Sequence, residues 1–412
     1  MNVLLVLSTK KYPTDIRAER EARALRRAGH AVFLMARRGP GQLARETVDG
    51  VQVLRVPLPF QGCKPLADFI YFFFQRYSLL WRLARACRRH RIDVLHVHDL
   101  PYAFTTAAAG RLLGLPVIFD MREHYVSMLA SSFAAEVYRR FRPLAFILLG
   151  LLRLEELFAC RWSTKVIVVA DEHIGRVRRL GVRRANIAVV TNTEDIDCFE
   201  GFPDEPQLRR RWAGKFVIMY VGGLEPIRGL ETVLRALPAI RRELPEAHLV
   251  LVGDGASRGE LEQLTERLGL REHVTFTGFA PFAQLPSYIR AAAVCLVPHI
   301  SSPHVDTTMP NKIFHYMMLG QPVVVSNLPP LMRVVRDAEC GLIFRQQDPQ
   351  SLAQAVLALR DQGLRRRLGE NGRRAVHDRY HWQATVQVLL RLYDGLDPTA
   401  GRRAPRGRPA TP

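Results

Sequence analysis

The chain has 412 residues, room for two domains of ordinary size, and 48% of them are apolar. Its formal charge is +20, with 31 basic against 19 acidic residues in 1–200 and 28 against 20 in 201–412. Six scattered cysteines without a CxxC pair fit reduced thiols in a cytosolic protein and argue against a disulfide frame or a zinc site.

The N-terminus has no basic segment and cleavage site of the signal-peptide kind, and the apolar run 144–152, closed by Arg153, is too short to cross a bilayer. The charge suits nucleic acid, a membrane surface or an anionic substrate. Only six of the 59 basic residues are Lys, so an arginine-rich coding bias explains the excess equally well.

A first strand is expected at 3–7. Tyr12-Pro13-Thr14-Asp15-Ile16-Arg17 then opens a helix over 15–28, which Asp15 can cap. Strands follow at 31–35 and 51–56. Residues 66–91 set Phe69, Ile70, Phe72, Phe73, Phe74, Tyr77 and Trp81 ahead of Arg82, Arg85, Arg88, Arg89 and Arg91. Such a helix either lies in a membrane interface or fills the space between helix and sheet.

A strand at 94–97 leads to His98 and Asp99. Strand alternation puts His96 and His98 on one face, but no third ligand is evident and no metal is expected. A strand at 116–119 runs into Asp120-Met121-Arg122-Glu123-His124, and strands at 165–169 and 187–190 complete the first half. Beyond a polar, Pro-containing stretch at 201–214 the pattern restarts, with strands at 216–221, 248–252, 274–277, 294–297 and 322–325 and helices at 229–243 and 259–268.

Strands alternating with helices in this way build parallel sheets with crossover connections. The fold class is therefore α/β, with two doubly wound, Rossmann-like domains at 1–195 and 196–396. The Pro-, Gly- and Arg-rich tail 397–412 has little to bury.

In open parallel sheets, ligands bind where loops leave the carboxyl ends of strands. Gly222-Gly223-Leu224-Glu225-Pro226-Ile227-Arg228-Gly229 is one such loop. Its glycines serve either a steric turn or the close approach of backbone to phosphate at a helix start. The strand at 294–297 leads through a long polar loop to Pro310-Asn311-Lys312 and a helix at 313–319. A Lys in the first turn opposes the helix dipole, a conflict that a bound anion would remove.

The stretch Pro310-Asn311-Lys312-Ile313-Phe314-His315-Tyr316-Met317-Met318-Leu319-Gly320-Gln321-Pro322-Val323-Val324-Val325-Ser326 closely resembles the donor-binding segment of family 4 glycosyltransferases. Gly222 through Gly229, the Gly253-Asp254-Gly255 turn, Thr277-Gly278-Phe279, Asn192 through Phe199 and the Asp15–Gly29 region carry the likeness over nearly the whole chain.

The resemblance implies a GT-B fold, its two domains facing across a cleft, and retaining transfer from a nucleotide-diphosphate sugar without a metal or other cofactor. It assigns the donor to Gly222, Gly223, Arg228, Gly253, Gly278, Asp306, Thr307, Asn311, Lys312 and His315. Asp15, Arg17 and Asp120 fall on the acceptor side, with Arg17 facing the cleft or solvent, and His98, Asp99, Arg122 and Glu123 nearest the chemistry. Asp195-Ile196-Asp197, a metal motif in another glycosyltransferase fold, is read as incidental.

The departures are specific. Gly223 replaces the family's first basic residue, and Arg228 replaces its Lys. The paired acidic positions fall on Thr307 and His315, and Arg122 stands where relatives have His. Arg122 stays protonated and is expected to stabilise a leaving diphosphate or to anchor an anionic acceptor. Expected partners are a nucleotide sugar, a lipid-linked or glycan acceptor and an anionic membrane surface, with a cytoplasmic location that extends to the inner face of the plasma membrane. Nucleic acid has no supporting motif. An epimerase and a non-catalytic sugar-nucleotide-binding scaffold remain rival readings.

Overall fold

The computed structural model describes residues 1–7, 12, 13, 15–56, 64–133 and 142–396; side chains at 64–76, 131–133 and 142–145 lie outside that description. The tail 397–412 and the aromatic side chains Phe69 to Phe74 therefore lie outside the described part of the structure. The chain divides into two compact units, Met1–Val190 with Val386–Pro412, and Thr191–Thr385.

Unit 1 is built on eight strands: β1 (Asn2–Leu7), β2 (Ala31–Arg37), β3 (Arg45–Val48), β4 (Val51–Val56), β5 (Val94–His98), β6 (Val117–Met121), β7 (Lys165–Val168) and β8 (Ile187–Val189). Their order is β3-β4-β2-β1-β5-β6-β7-β8. Every pairing is parallel except β3 with β4.

The inner strands are apolar runs because helices cover both of their faces. Leu4, Val6, Leu95, Val97, Val117 and Phe119 form one core with Leu83 and Cys87 of α2 (Lys64–His90) and Ala103 of α3 (Leu100–Leu113). The strand order reverses between β1 and β5, so the crevice of this unit opens beyond Leu7 and His98.

Unit 2 carries β9 (Phe216–Val221), β10 (Ala247–Val252), β11 (Val274–Gly278), β12 (Val294–Val297), β13 (Val323–Ser326) and β14 (Gly341–Phe344). They form an all-parallel sheet in the order β11-β10-β9-β12-β13-β14. Strand alternation divides β9 between two cores. Phe216, Ile218 and Tyr220 pack with the helix Leu230–Glu243, while Val217, Met219 and Val221 pack with the helix Lys312–Met318. Here the order reverses between β9 and β12, and the loops that leave them begin at Gly222 and Pro298.

Two features depart from the sequence expectation. β3 and β14 were not anticipated, since Arg45-Glu46-Thr47-Val48 is polar and Gly341-Leu342-Ile343-Phe344 is four residues long; both are edge strands. The unit boundary falls at 190/191 rather than 195, and the last helix, Trp382–Asp394, starts in unit 2 and ends in unit 1. Tyr393 fixes that return: it is buried, and its hydroxyl lies 2.8 Å from His96 Nδ1. An amphipathic helix reads the same in sequence whichever core it covers.

Candidate active site

The strand exits of unit 2 gather positive charge without compensation. At the end of β9, Gly222 has φ +133, and a Cβ there would lie 2.7 Å from Lys312 Nζ. Gly253, after β10, has φ +142, and its Cβ would fall 2.0 Å from Gly222 O. The two loops touch through backbone that only glycine permits. Lys312, partly exposed, lays its ammonium 3.8 Å from the ring centroid of Tyr220. Burial and the nearby Arg228 hold its pKa well below the ordinary lysine value. Neither Arg228 nor Lys312 has a carboxylate within 4.0 Å among the described residues.

His299, the second residue beyond β12, completes this cluster. It is 1% exposed, and its Nε2 lies 2.6 Å from Arg228 Nη1. A guanidinium only donates, so Nε2 accepts and Nδ1 carries the ring proton. Burial, Lys312 and Arg228 keep this imidazole neutral, with a pKa well below the usual value. His299 Nδ1 and Arg228 Nε are both buried without a hydrogen-bond partner among the described residues. Two cations, an orphan imidazole N–H and an orphan guanidinium N–H thus meet at the reversal point of the sheet, an arrangement complementary to a diphosphate.

Around this cluster the expected donor residues differ in what they have free. Asp306 accepts from Ser301 Oγ at 2.7 Å through Oδ2, while its Oδ1 is buried without a partner. The Thr307 hydroxyl donates to the carbonyls of Pro303 and His304, at 2.9 and 3.1 Å, so its proton is committed to its own turn. Asn311 is exposed at the start of the helix Lys312–Met318 without capping it. Gly223 O accepts from the Tyr220 hydroxyl at 2.8 Å, and Gly278 O accepts from Gly253 N at 2.9 Å.

His315 is not a free ribose ligand with both ring nitrogens available. Its ring stacks on Phe199 at 4.4 Å, and its Nε2 lies 3.2 Å from Glu194 Oε2, inside an aromatic box that includes Phe282. Glu194 is therefore the carboxylate of this corner, supplied from another segment.

In unit 1 the strand exits carry a buried polar network. Asp15 caps α1 (Ile16–Arg27) by accepting from Ala18 N at 3.3 Å, and it also accepts from Arg122 Nη1 at 2.8 and 3.1 Å. The other edge of Arg122 grips Asp99, through Nε at 3.2 Å and through a short bond from Nη2. Burial works against this guanidinium, but Asp99 and Asp15 hold its pKa well above the usual value. Arg122 is 7% exposed and shared by two carboxylates, so it is not the available anion ligand that its sequence position implied.

Arg17 is likewise neither in solvent nor free. It donates to Asp120 through Nε at 2.9 Å and Nη2 at 3.2 Å, donates to Val190 O at 2.9 Å, and pairs with Glu21 at 3.0 Å.

His98 lies between Asp120, 3.3 Å from its Nδ1, and Glu21, 3.5 Å from its Nε2, and stacks on His96 at 4.6 Å. Despite burial, Arg17 and the bond from His98 keep the Asp120 carboxyl well below the usual range, while burial raises Glu21. Glu21 and Asp120 are the further ligand types that sequence did not place beside the two histidines. Arg17 already sits on both carboxylates. Asp99 has φ +65, a strained conformation for a non-glycine residue, and Glu123 is exposed at the β6 exit.

Sequence reasoning missed His299, Tyr220, Glu21 and Glu194. His299 had a usable signal, since it follows a strand directly. Glu21, one turn after Arg17, reads as an ordinary helical ion pair, and nothing local marks Glu194 as the partner of a residue 121 positions away.

The fold and the cation cluster define a protein of the nucleotide-sugar-handling class, and comparison with known proteins narrows it. Residues 15–193 match the model of the glycosyl transferase 4-like domain, and residues 215–362 match that of glycosyl transferases group 1. The phosphatidyl-myo-inositol mannosyltransferase of Mycobacterium leprae is 27% identical over 377 residues, covering 90% of each chain. The alpha-D-kanosaminyltransferase of Streptomyces kanamyceticus is 24% identical over 402 residues, covering 95% of this chain and 94% of that one.

Among solved structures, sucrose-phosphate synthase from Thermosynechococcus elongatus superposes with TM-score 0.75 at 20% identity, covering 96% of this chain and 98% of that one. Anabaena HepE in complex with UDP gives 0.71 at 17% identity, covering 96% and 100%. The chain belongs to the family 4 glycosyltransferases and has their GT-B fold.

Proposed function

We propose that the protein transfers a sugar, with retention, from a nucleoside-diphosphate donor to a lipid-linked or glycan acceptor, without a metal ion. The observation that carries this reading is the uncompensated Arg228–His299–Lys312 cluster at the reversal point of the unit 2 sheet. These groups neutralise the diphosphate as its bond to the sugar breaks, the work that a divalent ion does in other transferases. In same-face substitution the leaving phosphate takes the acceptor's proton, so no protein base is required.

On the acceptor side, Asp99 and Glu123 lie at strand exits of unit 1, with His98, Asp120, Arg17 and Arg122 fixing that segment. Relatives named for phosphatidyl-myo-inositol and for lipopolysaccharide core biosynthesis support a membrane-linked glycolipid or cell-surface polysaccharide acceptor. Tyr77 and Trp81, 79% and 60% exposed on α2 among arginines, support peripheral contact with an anionic membrane, on the cytoplasmic side where sugar nucleotides are made. No helix among the described residues is long and apolar enough to cross a membrane.

The test is a thermal-shift panel of uridine, guanosine and adenosine diphosphates and their sugar conjugates, followed by donor turnover with lipid acceptors in excess EDTA. A selective shift and EDTA-resistant transfer are expected. Activity abolished by EDTA and restored by manganese would refute the metal-free mechanism.

A further inference from the structure

A second concentration of positive charge lies away from both strand-exit sites, on the outer part of the unit 1 sheet. A groove of about 280 Å³ runs between β3, β4 and the second half of α2. Arg45 of β3 and Arg82, Arg85 and Arg89 of α2 line it, together with Trp81. β2 and β1 separate β4 from β5, so this groove is distinct from the His98–Asp99 exit.

Four guanidiniums around one concavity need counter-charge, yet Arg45, Arg82, Arg85 and Arg89 make no ion pair among the described residues. The field is felt locally: burial first, then Arg89 and Arg45, lower the pKa of His90, which also lines the groove.

The decisive observation is a missing acceptor. Arg82 Nε is buried without a partner among the described residues. Arg85 already rests on the Trp81 ring at 5.3 Å, leaving its N–H edges for a ligand. Arg55 of β4 takes no part: Leu54 and Val56 pack toward α2, so strand alternation turns the Arg55 side chain to the other face of the sheet, where it bonds Leu43 O at 3.1 Å, Tyr12 O at 3.2 Å and Glu46. A solvated basic face has no reason to bury a donor unpaired, because a buried orphan costs about 1–3 kcal/mol.

We infer that this groove is a binding site for a phosphate or diphosphate group. Several arginine forks around one point match the multiple oxygens of phosphate better than a single carboxylate does. Trp81 offers an apolar contact for whatever the phosphate is attached to. The site stands independently of the donor reading; only a lipid source for the phosphate rests on the membrane reading.

The test is calorimetric titration of inorganic pyrophosphate into Arg228→Ala protein, whose donor site is weakened, with and without Arg82→Gln/Arg85→Gln. The added pair should weaken pyrophosphate binding by at least about tenfold, the scale of one charged hydrogen bond. Should that variant melt early, Arg85→Gln/Arg89→Gln, both at exposed positions, must give the same loss. Flotation with phosphatidylcholine vesicles, with and without phosphatidylglycerol, assigns the source. Pyrophosphate that releases protein from anionic vesicles marks a lipid phosphate, and pyrophosphate that binds without releasing it marks a soluble one. No pyrophosphate binding in the Arg228→Ala protein, or affinity unchanged within about twofold in both groove variants, overturns the proposal even if vesicles still bind.

Discussion

His299 offers the sharpest test of the donor site, because its two nitrogens do separable work. Nε2 accepts from Arg228 at 2.6 Å, and Nδ1 is an orphan donor in a buried cluster. Gln at this position places an amide oxygen near Nε2, keeping the anchor for Arg228 and losing the δ donor. Asn places an N–H near Nδ1 and loses the anchor. Ala loses both. A hydrogen bond involving a charged group is worth about 1.5–3 kcal/mol, roughly 10- to 150-fold in affinity. His299→Ala should therefore weaken binding of the nucleoside diphosphate by about 100-fold, and Gln and Asn by about tenfold each, measured by calorimetry. If Gln binds like wild type, His299 acts only by positioning Arg228. If Ala stays within about twofold of wild type, the cluster does not hold the phosphates and the assignment fails.

In unit 1, Arg122→Ala should cost about 3–5 kcal/mol in urea unfolding, since it strands two buried carboxylates, and adding Asp15→Asn should recover part of it while keeping the α1 cap. A loss under about 1 kcal/mol would mean that water replaces the guanidinium freely. Stability should also fall with acidification. Burial, Lys215 and His273 pull His248 down to about 4, against about 6.5 unfolded, so in between only the unfolded chain binds that proton. His96 and His299 act with the same sign, and Glu21, raised by burial, offsets part of it. His248→Gln should flatten the stability-versus-pH slope at about pH 5 by about 1.4 kcal/mol per pH unit, one proton's worth; an unchanged slope refutes it.

Periodicity carried the fold, and strand-exit logic pointed to the loops that hold the proposed donor cluster. Apolar runs such as 216–221 and 294–297 are buried strands, and the loops after them converge where the sheet order reverses. What periodicity does not encode is which side chains neutralise one another. Arg122 reads as a free cation in sequence, and only the meeting of α1, β5 and β6 reveals that Asp15 and Asp99 consume its charge. His315 likewise reads as a substitute for a carboxylate, yet the carboxylate is present in Glu194, brought from across the chain. The last helix looks like an ordinary end to unit 2 until Tyr393 is found against His96.

The two strand-exit clusters are opposite in electrostatic design, and that contrast bears on the division of labour. In unit 2, Arg228 and Lys312 have no carboxylate partner among the described residues, and Lys312 is held at a depressed pKa that an approaching anion would raise. That unit is left short of negative charge, the condition for gripping a diphosphate more tightly as charge develops on it. At the unit 1 exit, Arg17 and Arg122 are shared among Asp15, Asp99, Asp120 and Glu21, so carboxylates outnumber cations in this cluster and neither guanidinium is left to offer. Such a network is unsuited to holding a second phosphate at that exit but well suited to accepting bonds from neutral hydroxyl groups. If the acceptor carries a phosphate, that phosphate is then held away from this exit, and the Arg45–Arg89 groove is a concavity of unit 1 that offers guanidiniums unpaired among the described residues.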